Sequence, residues 1–260
     1  MHANNFLKKL NLKALCSGLV ITALGSLSLT AYTHAAIALD RTRIIYNGGQ
    51  KSVSLSISNK NKQLPYLAQA WIENSAGEKI TTPFAVLPPL QRLEPEKSSQ
   101  IRVEALPAVQ QLPQDRESIF YFNLREIPPK SEKANVLQLA LQSKIKLFYR
   151  PKALFVDSTA LNASPWQEKL ELIKQGNDVI AKNPTGYYTT ILGVEQSEKG
   201  PADPKFKAVM IPPFSEQNIN ISASWLGSHP VLTYINDYGG RPKMQYQCQA
   251  NQCTVVANNK

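Results

Sequence analysis

Histidine and cysteine are scarce in this chain, and their scarcity excludes most catalytic chemistry. His2 and His34 lie near the amino terminus, which leaves His229, beside Pro230 in a loop-like stretch, as the one imidazole further along. Cys16 is also an early residue, and the other two cysteines, Cys248 and Cys253, form the close pair CQANQC. No thiol is spare for a nucleophile, and no set of His and Cys has metal-ligand spacing. There is no GxSxG, no HExxH and no glycine-rich loop to cradle phosphate. Two carboxylates could still act as an acid and base pair. Asp115 and Glu117, two apart around Arg116, are the nearest candidates, and they read as a charged strand end. The expectation is no enzymatic activity, no cofactor and no metal.

Long apolar runs are equally rare. The single one, Leu15–Leu29, follows Lys8, Lys9 and Lys13 and precedes the small-residue stretch Thr33–Ala36. A positive start, an apolar middle and a small-residue end predict a secretory signal peptide over residues 1–35, cleaved near Ala35. The run holds Ser17, Thr22, Ser26 and Ser28 and is short for a bilayer span, which argues against a retained anchor. The expected location is an exported, oxidising compartment, where Cys248 and Cys253 read as a disulfide across a hairpin. The net charge is +10, three of it in the predicted leader. A basic surface suits nucleic acid, anionic membranes or acidic protein partners. With the charges dispersed and the chain exported, nucleic acid is not expected as a partner.

Strand signals fill the rest. SVSLSIS (Ser52–Ser58) sets Val53, Leu55 and Ile57 on one side and serines on the other, as in an antiparallel sheet with one wet face. PYLAQAWIE (Pro65–Glu73), SQIRVEAL (Ser99–Leu106) and SIFYFNLREI (Ser118–Ile127) follow at short intervals between Gly, Pro and Asn turns. Such spacing predicts an all-β chain of sandwiches. After Arg150-Pro151 the pattern restarts, with a turn at Gln175–Asn177 and strands through KMQYQC (Lys243–Cys248). The expected domains are 36–152 and 153–260. One stretch is ambiguous alone. In NVLQLALQSKIKLFYRP (Asn135–Pro151), Leu137, Leu139 and Leu141 alternate as in a strand, yet Leu137, Leu141, Ile145 and Phe148 also have helical spacing. The surrounding strands favour a strand. Periodicity does not say whether its leucines fill this chain's core or a partner's.

Leu112–Pro128 (LPQDRESIFYFNLREIP) resembles the signature of the periplasmic pilus-assembly chaperones. LDRTRIIY (Leu39–Tyr46), QRLEP (Gln91–Pro95), Ser131–Pro151 and TYINDYGGRP (Thr233–Pro242) extend the resemblance over nearly the whole exported chain. It implies two immunoglobulin-like β-sandwiches set in an L or boomerang with a cleft between them. It also implies a binding protein that lends a strand to pilus subunits, caps them and delivers them to an outer-membrane usher in the periplasm. Leu137, Leu139 and Leu141 would be the donor strand's groove-filling residues. Arg43 and Lys146 would anchor the subunit's C-terminal carboxylate, with Arg41 and Lys144 left as solvated charges. Glu117, Arg150 and Asp237 would form a charge cluster that holds the two domains. A self-capping dimer of the free chain is left open. The alternative reading is a structural pilus subunit or adhesin on a similar sandwich. The chain lacks an alternating extension ahead of LDRTRIIY, which such a subunit would need.

Overall fold

The computed structural model describes residues 35–132 and 135–256. The predicted leader, apart from Ala35, lies outside the described residues. Eighteen strands and a few short helical turns follow, and the apolar residues fall into two separate cores.

The first sandwich is built from β1 (Ile37–Leu39), β2 (Arg43–Asn47), β3 (Ser52–Asn59), β4 (Tyr66–Glu73), β5 (Lys79–Ile80), β6 (Phe84–Leu87), β7 (Leu90–Leu93), β8 (Ser98–Ala105), β9 (Ser118–Ile127) and β10 (Gln142–Arg150). One sheet runs β1-β3-β8-β6 and the other β2-β10-β9-β4-β5, with β7 also paired to β4. Alternation explains the layering. Leu55 and Ile57 of β3, Ile101 and Val103 of β8, and Phe120 and Phe122 of β9 turn inward, while Ser54 and Ser56 face water. At the centre Phe84 meets Tyr46 at a 5.0 Å ring separation and Phe120 edge-on at 5.2 Å.

LDRTRIIY reads as one strand but divides between the two sheets. β1 pairs with β3, and β2 pairs in parallel with β10. Asp40–Thr42 is the crossing point, where the Asp40 backbone N–H still reaches the Ser56 carbonyl at 3.1 Å. A strand that changes sheets closes one edge of a sandwich.

The segment Asn135–Leu141 also departs from the strand expected there. β10 begins at Gln142, so Leu137, Leu139 and Leu141 lie in no strand. The reason is a missing partner. β9 pairs with β10 from Gln142 onward, and β2 only from Lys146 onward. Upstream, one backbone bond remains, from the Glu126 N–H to the Leu141 carbonyl. Without a neighbour the extended chain has no ladder. The side chain of Gln138 instead folds the segment back, donating to the Pro129 carbonyl and accepting from the Ser131 N–H.

The second sandwich contains β11 (Glu171–Gln175), β12 (Asp178–Asn183), β13 (Thr189–Glu195), β14 (Val209–Ile211), β15 (Ser215–Ser222), β16 (Val231–Tyr234), β17 (Lys243–Gln249) and β18 (Gln252–Val255). Pairing follows the order β14-β13-β16-β17-β18-β11-β12-β15. β17 serves two neighbours, β16 through Lys243–Gln245 and β18 through Tyr246–Gln249. Tyr246 is fully buried and donates its hydroxyl to the Leu170 carbonyl. Cys248 and Cys253 stand opposite each other on β17 and β18 and are joined by a disulfide. So short a loop is stapled locally, worth about 2 kcal/mol by loop-entropy reasoning. Between the cores the chain makes a turn at Lys152–Leu154 and one short helix, Ser158–Ala163. Asp157 caps that helix by accepting from the Thr159 and Ala160 N–H groups.

Candidate functional site

The second sheet of the first sandwich has an edge that is only half closed. β2 is its last strand and covers β10 from Lys146 to Arg150. Gln142–Ile145 have β9 on one side and no strand on the other. Ahead of this open edge, Leu137 is 84% exposed, Leu139 66% and Leu141 41%. Soluble chains rarely present alternate large apolar side chains beside unpaired backbone, because both invite another strand. Leu147 and Tyr149, further along the same run, are buried in the home core.

At the point where β2 closes the edge, Arg43 and Lys146 are register partners. Their position on adjacent strands puts both side chains on the outer face, since Ile44 and Leu147 occupy the inner one. Among the described residues neither cation has an ion-pair partner, and the Arg43 Nε is buried with no hydrogen bond. Burial holds the Lys146 ammonium below the ordinary lysine range, and the neighbouring Arg43 charge lowers it further. Burial likewise lowers Arg43, with Asp237 pulling the other way. Nearby basic residues differ. Arg41 grips Asp40 through two hydrogen bonds, and Lys144 donates to Glu73 at 2.6 Å while lying over the Tyr121 ring. Two half-buried like charges without an ion-pair partner favour the approach of an anion.

Four residues further along β10, Arg150 is fully compensated. Its Nε donates to Glu117 Oε1 at 2.9 Å, and its two Nη atoms hold Asp237 at 2.8 and 3.1 Å. The second Glu117 oxygen accepts from the Tyr188 N–H at 2.8 Å. Glu117 and Arg150 belong to the first sandwich, Tyr188 and Asp237 to the second sandwich and its loops. The Trp166 and Tyr187 rings stack at 4.4 Å and lie 4.8 and 5.0 Å from the guanidinium. Burial pushes the Glu117 carboxyl up to about 7, against the lowering effect of Arg150 and the Tyr188 N–H. The family resemblance points to Glu117, Arg150 and Asp237 in the sequence, but not to Trp166 or Tyr187. The aromatic pair Tyr187-Tyr188 at the mouth of β13 was the available signal, and it does not name Arg150 as its target.

The arrangement defines a class: a two-sandwich protein with an unfilled strand edge that ends at two cations without an ion-pair partner. Residues 36–155 match the family described as the pili and flagellar-assembly chaperone, PapD N-terminal domain, and residues 165–246 match the pili assembly chaperone PapD, C-terminal domain. The chain belongs to the pilus-assembly chaperone family. It is 53% identical over 222 residues to the chaperone protein PapD of Escherichia coli, covering 85% of this chain and 90% of that one. The periplasmic chaperone SfaE has a similar solved structure, with a TM-score of 0.63, 33% identity and coverage of 80% and 98% of the two chains. The Salmonella enterica SafB chaperone, solved in complex with the SafA pilin, gives a TM-score of 0.68 at 26% identity, covering 84% of this chain and 99% of that one. These relatives are chaperones, which sets the chain apart from the alternative of a pilus subunit.

Proposed function

We propose that this protein is a periplasmic chaperone that lends the segment Val136–Ile145 to pilus subunits as a missing strand. The observation that carries the reading is the open edge of β10, with its exposed leucines, running into two uncompensated cations. A partner strand filling that edge would lie in line with β2. If it runs parallel to β10, as β2 does, its last residue arrives where Arg43 begins. A free C-terminal carboxylate would then meet Arg43 and Lys146. Arg can hold it through two parallel bonds, and Lys adds a point charge. Leu137, Leu139 and Leu141 would enter the subunit's groove, while backbone pairing supplies affinity with little demand on sequence.

In this reading Glu117, Arg150 and Asp237 are a strut that sets the two domains, 36–152 and 153–260, around the cleft. The leader, residues 1–35, directs export, and an outer-membrane usher receives the captured subunit. No step requires catalysis. The same exposed edge could cap itself in a dimer of the free chain, which sedimentation of the purified protein would reveal.

The test is rescue of a pilus subunit in the periplasm. The subunit is expressed alone, with this chain, and with Arg43→Ala or Lys146→Ala chains, and soluble complex is measured. Circular dichroism of each purified variant checks its fold. The reading expects protection by the unaltered chain and none by the folded variants. Protection by the variants equal to that of the unaltered chain would remove the carboxylate anchor.

A further inference from the structure

Beyond Arg43 the cleft does not end. A cavity of about 640 Å³ continues along the outer face of β2, lined by Arg43, Ile45 and Asn47 on that side. Phe155, Leu161 and Tyr238 line it from the connecting segment and the second sandwich. Its walls combine two features. Of the three acids in the lining, Asp40 is held by Arg41, Asp237 by Arg150, and Asp157 accepts from the Thr159 and Ala160 N–H groups it caps, so Arg43 is the cation left to meet an incoming anion. The far wall carries exposed apolar surface, Phe155 at 56% and Tyr238 at 70%, beside the polar Asp157 and Ser158. The Asn47 Oδ1 is buried without a hydrogen-bond partner, like the Arg43 Nε. The Tyr238 turn is seated firmly. Gly239 has φ of +82°, and a Cβ there would come within 2.7 Å of the Thr42 Oγ1. The turn therefore packs directly against the residue preceding Arg43.

We propose that this cavity is a selectivity subsite that receives the side chain of the captured chain's last residue and favours a large apolar one. The inference rests on the carboxylate-anchor reading, because that anchor brings the last residue to the cavity mouth. An acid-terminated chain with an apolar final side chain matches both features: its carboxylate meets Arg43, and its side chain covers Phe155 and Tyr238. A terminal glycine would leave that wall wet. Burying an aromatic side chain against such a wall corresponds to roughly tenfold tighter binding.

The experiment uses the full exported chain and three labelled peptides of alternating Val and Thr. One ends in Phe with a free carboxylate, one in Gly with a free carboxylate, and one in Phe amide. Binding is followed by fluorescence anisotropy. The acid ending in Phe is expected to bind roughly tenfold more tightly than the acid ending in Gly. In a Phe155→Ala, Tyr238→Ala double variant that preference should collapse toward unity. Both side chains are more than half exposed, so the variant should fold, and circular dichroism verifies it. Equal binding of the Phe and Gly acids to the unaltered chain, or a preference that survives the double variant, overturns the subsite. Equal binding of Phe acid and Phe amide overturns the anchor instead, so the two failures are read from different pairs. Absence of binding by every peptide overturns both.

Discussion

Arg43 and Arg150 sit near the two ends of the same parallel pairing of β2 with β10, yet they are opposites. Arg150 is 2% exposed and meets two carboxylates and two aromatic rings. Arg43 is half-buried beside a second cation, with an orphaned Nε and no acid of its own. A chain that wanted only stability would treat both alike, because an unpaired buried charge is costly. Charge at Arg150 is consumed inside the molecule, while Arg43 and Lys146 keep theirs without an ion-pair partner, as the proposed carboxylate anchor requires. The same contrast runs along the backbone. Leu147 is sealed in the core, and Leu137 stands in water.

Breaking the compensated cluster should have the largest effect. Arg150→Ala leaves Glu117 buried without its counter-charge and empties the space between Trp166 and Tyr187. We expect a loss of about 3–5 kcal/mol, read as an earlier urea midpoint by tryptophan fluorescence. An unchanged midpoint would mean the cluster does not hold the domains. Arg43→Ala and Lys146→Ala should behave in the reverse way. Removing one of two repelling, half-buried cations should leave thermal stability equal or slightly raised. Subunit affinity should fall by about 1.5–3 kcal/mol for each charged hydrogen bond removed. A variant that melts early would place these residues with Arg150 rather than opposite it.

The leucines allow a matching comparison at similar or smaller magnitude. Leu137→Ser and Leu139→Ser should not move the melting temperature, since neither side chain touches the home core, but each should weaken subunit binding by up to about 1.5–3 kcal/mol. Leu147→Ser should unfold the first sandwich instead. A melting shift in Leu137→Ser equal to that in Leu147→Ser would erase the distinction. The mildest effect is a pH dependence. In the free chain Lys146 lies below the ordinary lysine range through burial and Arg43, and a bound carboxylate raises it. Affinity is then full below the free-chain value and declines as pH rises through it toward the bound value. Titration calorimetry at alkaline pH should show that decline, and Lys146→Arg, charged throughout, should flatten it.

Much of this was legible in the residues themselves. The serine and apolar alternation of β3, the aromatic alternation of β9 and the close pair Cys248 and Cys253 are local patterns, and local patterns translate directly into strands and a hairpin staple. The resemblance carried by Leu39–Tyr46, Leu112–Pro128, Ser131–Pro151 and Thr233–Pro242 pointed to Arg43, Lys146, Glu117, Arg150 and Asp237 as residues that matter. It separated Arg43 from Arg41 by role, but it left Arg41 and Lys144 as solvated charges and named no acid for either. Only folding put Asp40 against Arg41 and left Arg43 without an acid.

The division follows from the range of the forces. Alternation, turns and the hairpin disulfide act within a few residues, so most strands and the class of fold are written locally in the residues. Whether a strand is finished depends on a neighbour far away in the chain. Leu39–Tyr46 split between two sheets, β2 stopped short of Ile145, and the leucines before β10 stayed bare because no strand among the described residues reaches them. Tertiary structure alone decided that edge, since a backbone hydrogen bond exists only when both strands are present.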